Sequence, residues 1–244
     1  MQEWFLDIKE QFILNFVDEN RWEFLWEGFL NTILLTILSA VIGLVLGIVV
    51  AAVRTTYDNN YETLKKNRGL GFYLFTVVNA VCKLYLTIIR GTPVVVQLLI
   101  MYFIVFATSD NGIMVAIIAF GINSGAYVAE IFRGGIMSID KGQLEAGRSI
   151  GFNYLQTMIF VILPQTIKNT LPTLLNEFIA LLKETSVAGY VGIMDLTKAG
   201  NNIRNHTYSA FMPLIAVAIV YLILVVFLTW LVGKLERRLR KSDH

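Results

Sequence analysis

The sequence predicts an all-α integral membrane protein of about five transmembrane helices, with its N-terminus outside and its C-terminus inside. Three observations carry that prediction. The composition is 56% hydrophobic with a mean hydropathy of +0.63 and only 16% charged residues, where a soluble domain carries about a quarter. The run Gly28 to Val53 is free of charge, and its 26 residues are enough to cross a hydrocarbon core of ~30 Å with some tilt. Basic residues gather between such runs, as the positive-inside rule requires of cytoplasmic segments. A formal net charge of +2, with no basic stripe interleaved with aromatics, excludes nucleic acid as a partner. Lone Cys82 excludes an internal disulfide and reads as a packing residue.

Residues 1–27 hold seven acidic and two basic residues, which is no signal peptide. Trp4, Phe5, Ile8, Phe12, Ile13 and Phe16 recur at helical spacing, so this part reads as an amphipathic, extracytoplasmic helix on the bilayer surface. The first span follows and ends at Arg54. The loop to Arg68, with Lys65 and Lys66, is expected in the cytoplasm. Phe72–Arg90 is expected as an interfacial or slanted lead-in whose Lys83 and Arg90 snorkel, after which Pro93 kinks the chain into a single span ending near Ser109. Asp110-Asn111-Gly112 is a tight outer turn, and Gly112 to Ala129 is the third span. Pro164 and Pro172 bracket entry into the fourth, which ends in Lys183-Glu-Thr-Ser186. Residues 187–208, rich in Gly and Asn, are placed outside. Phe211 to Gly233 is the last span, and Lys234, Arg237, Arg238, Arg240 and Lys241 hold the C-terminus inside. The resulting divisions are 1–27, a membrane domain at 28–235, and a basic tail at 236–244.

Between the third and fourth spans lies a polar stretch, about 130–165. Arg133, Lys141 and Arg148 place it in the cytoplasm. Asp140 can cap a helix there, with Gln143 positioned to complete a capping box, and Gly151 stands where a left-handed C-terminal cap belongs. A helix of about ten residues, roughly 15 Å long, results. So short a helix is marginal in water by itself, and the expected support is another protein.

No catalytic constellation is present, and the chain is not expected to be an enzyme. His206 and His244 have no evident partners as metal ligands or bases, and no G-x-x-x-x-G-K-[ST] phosphate loop occurs. Any ATP and Mg would belong to a partner polypeptide, with no cofactor on this chain. Ionisable residues inside a membrane are by default functional hypotheses. Asn176 and Lys183 share one stripe of the fourth span, and Glu177 lies on an adjacent one with Glu184. An ammonium and carboxylates beside Thr185 and Ser186 could complement a zwitterion. Lys183 and Glu184 could equally reach the outer interface, and Glu177 could pair with a neighbouring helix. Asn123, Ser124, Tyr127 and Glu130 on the third span are similar candidates, and the spacing lets Asn123, Tyr127 and Glu130 share a face. Gly121 and Gly125 form a small-x-x-x-small pair suited to helix packing.

Glu145-Ala-Gly-x-x-x-Gly151, nine residues, then Val161-Ile-Leu-Pro164 resembles the EAA loop of ATP-binding-cassette importer permeases, with Gly147 for the second alanine and Val161 for isoleucine. Arg90-Gly-Thr-Pro-Val-Val-Val-Gln97, Ala126-Tyr-Val-Ala-Glu-Ile-Phe-Arg-Gly-Gly135, Lys141-Gly-Gln-Leu-Glu145 and Leu182-Lys-Glu-Thr-Ser186 resemble the polar amino acid subgroup. The likeness covers about residues 28–235. It implies a multi-pass permease of the cell membrane, embedded in lipid and paired with a second copy or a related permease. It also implies cytoplasmic ATP-binding subunits and an extracytoplasmic amino acid-binding protein. The short helix would be a cytoplasmic coupling helix, with Asp140, Gly142, Glu145, Ala146, Gly147 and Gly151 at the contact with the ATPase. A secondary transporter or channel working without ATP is the alternative.

Overall fold

The computed structural model describes residues 2–66 and 69–241, and every regular element among them is helical. Arg68 and His244, and the side chains of Trp4, Phe5, Lys141, Arg240 and Lys241, lie outside the described residues. In chain order the α-helices are α1 (Gln2–Phe12), α2 (Trp22–Lys66), α3 (Leu70–Gly91), α4 (Val94–Ile100), α5 (Gly112–Met137), α6 (Lys141–Ser149), α7 (Tyr154–Thr157), α8 (Leu163–Glu184), α9 (Leu196–Thr207) and α10 (Phe211–Lys241). Single π-helical turns follow α1, α4 and α7, at Ile13–Val17, Met101–Val105 and Met158–Ile162.

Among the described residues four helices are long and apolar enough to cross a membrane: Trp22–Tyr61, Leu70–Gly91, Gly112–Met137 and Phe211–Leu239. Helix α8 is the fifth long one, 22 residues, and its Lys168, Asn169, Asn176, Glu177, Lys183 and Glu184 lower its hydropathy. Two expectations are corrected. Phe72–Arg90 is no interfacial lead-in by length or composition but part of a span-length apolar helix, whereas Val94–Val105 is the shorter apolar piece. The reason is that Thr92 is extended (φ −126°, ψ 147°), as a residue before proline must be, so the break falls after Arg90 rather than before it. The expected loop from Arg54 is helical through Lys66, since nothing from Thr55 to Lys66 is Gly or Pro.

Contacts divide the chain into two compact units, one of Met1–Ser39, Val94–Phe120 and Ile179–Leu231, the other of Ala40–Pro93, Gly121–Phe178 and Val232–His244. In the first, Leu35, Leu98, Ala116, Phe120, Leu181, Leu196 and Ile203 are wholly buried. Residues 187–208, expected only as a Gly- and Asn-rich outer segment, fall in a 3₁₀ stretch (Thr185–Val191) and then α9 (Leu196–Thr207). That helix is tied to α2: the Leu196 N–H donates to the Thr32 hydroxyl at 3.0 Å and the Asn31 amide to the Met194 carbonyl at 2.9 Å. Its other end meets the N-terminal segment, where the Thr207 hydroxyl donates to Oδ1 of buried Asn15 at 2.8 Å.

In the second unit, Val50, Leu86, Ala126 and Ala129 form a core flanked by Leu46, Cys82, Tyr85 and Ile89. Ala51, Val128 and Phe132 form another, with Leu174 against it. Gly125 is buried, and a Cβ there would stand 2.9 Å from the Tyr85 hydroxyl, the packing role expected of a small residue. Cys82 is a free thiol of this core.

Candidate functional site

The polar loop between α5 and α8 builds its first site from caps. Oδ1 of Asp140 accepts from the Gly142 N–H at 2.7 Å, which starts α6 as expected. The reciprocal pair expected of Asp140 and Gln143 is built instead one element later. There Oδ1 of Asn153 accepts from the Gln156 N–H at 2.9 Å, and Oε1 of Gln156 accepts from the Asn153 N–H at 2.9 Å. Gly151 adopts φ 92°, the left-handed conformation that glycine takes without Cβ cost, and the Phe152 N–H closes back onto the Gly147 carbonyl at 3.0 Å.

Glu145, Ala146, Arg148 and Ser149 are placed on α6, where Glu145, Arg148 and Ser149 are exposed, and Ile150 (70%) and Leu155 (64%) bare apolar surface beside them. Gly147 differs from the expected contact with a partner. It is buried, and a Cβ there would lie 2.5 Å from Cγ2 and 2.8 Å from Oγ1 of Thr157. The glycine therefore lets α6 close onto the turn that follows it. Asp140 and Gly151 likewise shape the helix from its ends, leaving Glu145 and Ala146 on its open face.

The intramembrane candidates fall into three groups. On α5 and α8, the Ser124 hydroxyl donates to Oε1 of Glu177 at 3.1 Å, while Asn123 is buried and Asn176 exposed. One and two turns along α5, Tyr127 and Glu130 meet basic residues. Arg133 donates to Oε2 of Glu130 at 3.0 Å, Arg90 approaches the same oxygen at 3.9 Å, and the Arg90 guanidinium lies 5.9 Å from the centre of the Tyr127 ring. In the other unit, Lys183 and Ser186 line a cavity of about 290 Å³ with Thr197 and Tyr221. Thr185 is buried, its hydroxyl donating to the Leu182 carbonyl at 2.8 Å.

Sequence reasoning passed over a second basic cluster. Arg54, Lys83, Leu86, Thr87, Arg90, Gly91 and Glu130 line a cavity of about 500 Å³. The signal was present: Asn79, Lys83, Leu86 and Arg90 recur at i, i+4, i+7 and i+11 along α3, which is one helical face. Arg54 belongs to it because it donates to Oδ1 of Asn79 at 3.0 Å. Among the described residues no group of three or more His, Cys, Asp or Glu could hold a metal.

Comparison with known proteins decides the family. Residues 68–241 match the model of the binding-protein-dependent transport system inner membrane component. The chain belongs to that family. It is 39% identical over 168 residues to the glutamine transport system permease protein GlnP of Escherichia coli K12, covering 67% of this chain and 77% of that protein. It is 38% identical over 162 residues to the arginine transport system permease protein ArtQ of Bacillus subtilis 168, covering 65% and 74%. The structure of an amino acid ABC transporter with histidines aligns at 35% identity and a TM-score of 0.76, over 88% of this chain and 94% of that one. The methionine transporter MetNI, in an inward-facing conformation, aligns at 20% identity and a TM-score of 0.71 over 91% and 98%, a likeness of fold. The family match covers the polar loop and α3, α5 and α8.

Proposed function

We propose that this chain is the transmembrane permease subunit of an ATP-driven amino acid importer. The observation that carries the amino acid assignment is the 39% identity with a glutamine permease along 77% of its length. In this reading α6 and its flanks are the contact for a cytoplasmic ATPase, which holds the ATP and Mg. Glu145 and Ala146 form the centre of that contact, with Ile150 and Leu155 as its apolar margin. A short helix pinned at both ends and packed underneath is what a transmitted displacement requires. The chain works in the cell membrane, paired with a second copy or a related permease and fed by an extracytoplasmic binding protein. Its basic segments, Lys65–Lys66, Arg133–Arg148 and Lys234–Arg238, face the cytoplasm by the positive-inside rule. The acidic segment 1–27 lies outside. Asn123, Tyr127, Glu130, Asn176, Glu177, Lys183, Thr185 and Ser186 contribute to the pathway, since transporter sites lie near the bilayer midplane at interrupted helices.

Glu145→Lys tests the reading. The variant should still insert in the membrane, yet show ATP hydrolysis that no longer responds to the loaded binding protein and uptake reduced by about tenfold or more. Wild-type uptake and stimulated hydrolysis would remove α6 from the coupling role. Uptake by the isolated chain on an ion gradient alone would replace the whole reading with a secondary transporter.

A further inference from the structure

The cavity on α3 holds more positive charge than its surroundings neutralise. Arg54, Lys83 and Arg90 line it with a single carboxylate, Glu130. That carboxylate is already engaged by Arg133 at 3.0 Å and stands 3.9 Å from Arg90. Asp58 lies 3.9 Å from Arg54, half exposed. The arginine side chain itself is only 12% exposed, and its Nε is enclosed with no hydrogen-bond partner among the described residues. Four cations against two carboxylates leave a local balance of +2. Isolated charge within a membrane helix is costly, so a bound anion lowers the energy of this arrangement. Guanidinium groups bind carboxylates in two-point geometry, and an ammonium adds a point charge. A volume of about 500 Å³ lies within the range of roughly 300–1,000 Å³ usual for small-molecule sites.

We propose that Arg54, Lys83 and Arg90 bind the α-carboxylate of the transported amino acid in this cavity, and that its positive balance selects uncharged or acidic side chains over basic ones. This rests on the importer reading above and adds the site and the substrate class. Thr87, whose hydroxyl donates to the Lys83 carbonyl at 2.9 Å, offers an acceptor oxygen for the rest of the ligand, and Leu86 an apolar wall. Glu130, held between two arginines, sets the positions of the cations rather than offering a free partner for a second positive charge.

The experiment is uptake into liposomes containing the whole complex, with labelled glutamine, glutamate and arginine, for wild type, Lys83→Gln and Lys83→Arg. Lys83 lies outside the buried core, so neither change opens it. The wild-type complex should take up glutamine or glutamate with a KM about tenfold or more below that for arginine. Lys83→Gln should raise the lower KM about tenfold, with little of the loss in kcat, and Lys83→Arg should restore it. An unchanged KM in Lys83→Gln, or a wild-type preference for arginine, overturns the site while ATP-driven uptake leaves the importer reading intact. If Lys83→Gln removes only a dependence on phosphatidylglycerol in the liposomes, the cavity holds a lipid phosphate and the proposal falls. No ATP-driven uptake of any amino acid would overturn both readings.

Discussion

Helices α6 and α9 are assembled from the same parts and meet opposite fates. Each starts on an aspartate whose Oδ1 accepts a backbone N–H, Asp140 from Gly142 at 2.7 Å and Asp195 from Lys198 at 2.8 Å. Each ends on a residue with positive φ, Gly151 at 92° and Tyr208 at 54°. Yet Asp140 is exposed, whereas Asp195 is wholly buried. Its Oδ2 is enclosed without a hydrogen-bond partner among the described residues, and burial pushes its carboxyl up from 3.8 to about 6. Helix α6 keeps its polar face open. Helix α9 is already covered by its own chain and carries the electrostatic cost of that burial. A cap satisfies backbone donors in both cases, but only surroundings decide whether its charge is cheap.

The largest test of this contrast is Asp195→Asn. Because the folded pKa is raised, the native state holds its proton above the unfolded value. The stability from that proton is complete below about pH 4 and is lost as pH rises through about 6. A rise of that size is worth roughly 3 kcal/mol. Asparagine caps as well as aspartate and carries no charge, so the variant should melt higher than wild type at pH 8 and lose the decline between pH 4 and 7. Parallel melting curves for the two proteins in detergent across that range would show that the buried carboxylate costs nothing.

A smaller effect belongs to α6. Gly147→Ala gains about 1 kcal/mol of helix propensity but drives a methyl group into Thr157, an overpacking that costs about 1–3 kcal/mol. Thermal stability and recovery of the proposed complex with an ATPase should both fall, and Thr157→Ala should restore them in the double variant. Restoration by an enlarged partner surface instead would return Gly147 to the exposed contact face. The smallest pair concerns the helix ends. Tyr208→Gly should stabilise by about 1 kcal/mol and Gly151→Ala should destabilise by a similar amount, since Tyr208 is 96% exposed and gives up little contact. Equal and opposite shifts in melting temperature would establish the two termini as equivalent. Unequal shifts would show that Tyr208 is held in place by contacts of its own.

Much of α6 was legible because local chemistry specifies it: an aspartate before the helix, a glycine after it, and polar residues between apolar spans. Helix α9 was not, although Asp195 precedes it in the same way. Its Gly200, Asn201 and Asn202 are poor helix formers, and what holds it is remote: Thr32 and Asn31 on α2, Asn15 near the N-terminus, and Val217 of α10 filling the space beside Gly200. Sequence spacing cannot report contacts between residues 164 positions apart. The same limit hid the α3 cavity, whose Lys83 and Arg90 were assigned to the bilayer interface because Arg54 and Glu130 come from distant parts of the chain. In α8, by contrast, the polar residues were plain in the sequence, and the pairing of Glu177 with Ser124 was not.

Helix α2 extends this to mechanics. Its 45 residues amount to roughly 67 Å, more than twice a hydrocarbon core of ~30 Å. Beyond Arg54, the Tyr57 ring lies tilted against Phe75 with ring centres 5.6 Å apart, and Asn59 reaches the Tyr154 hydroxyl at 3.4 Å, just after α6. Sixteen residues earlier on the same rod, Gly43 and Gly47 press against Ser124 and Val128 of α5. An unbroken helix is stiff along its axis, so α2 is a strut about 24 Å long between these points. One rod therefore meets both the segment just after α6 and Ser124, whose hydroxyl holds Glu177.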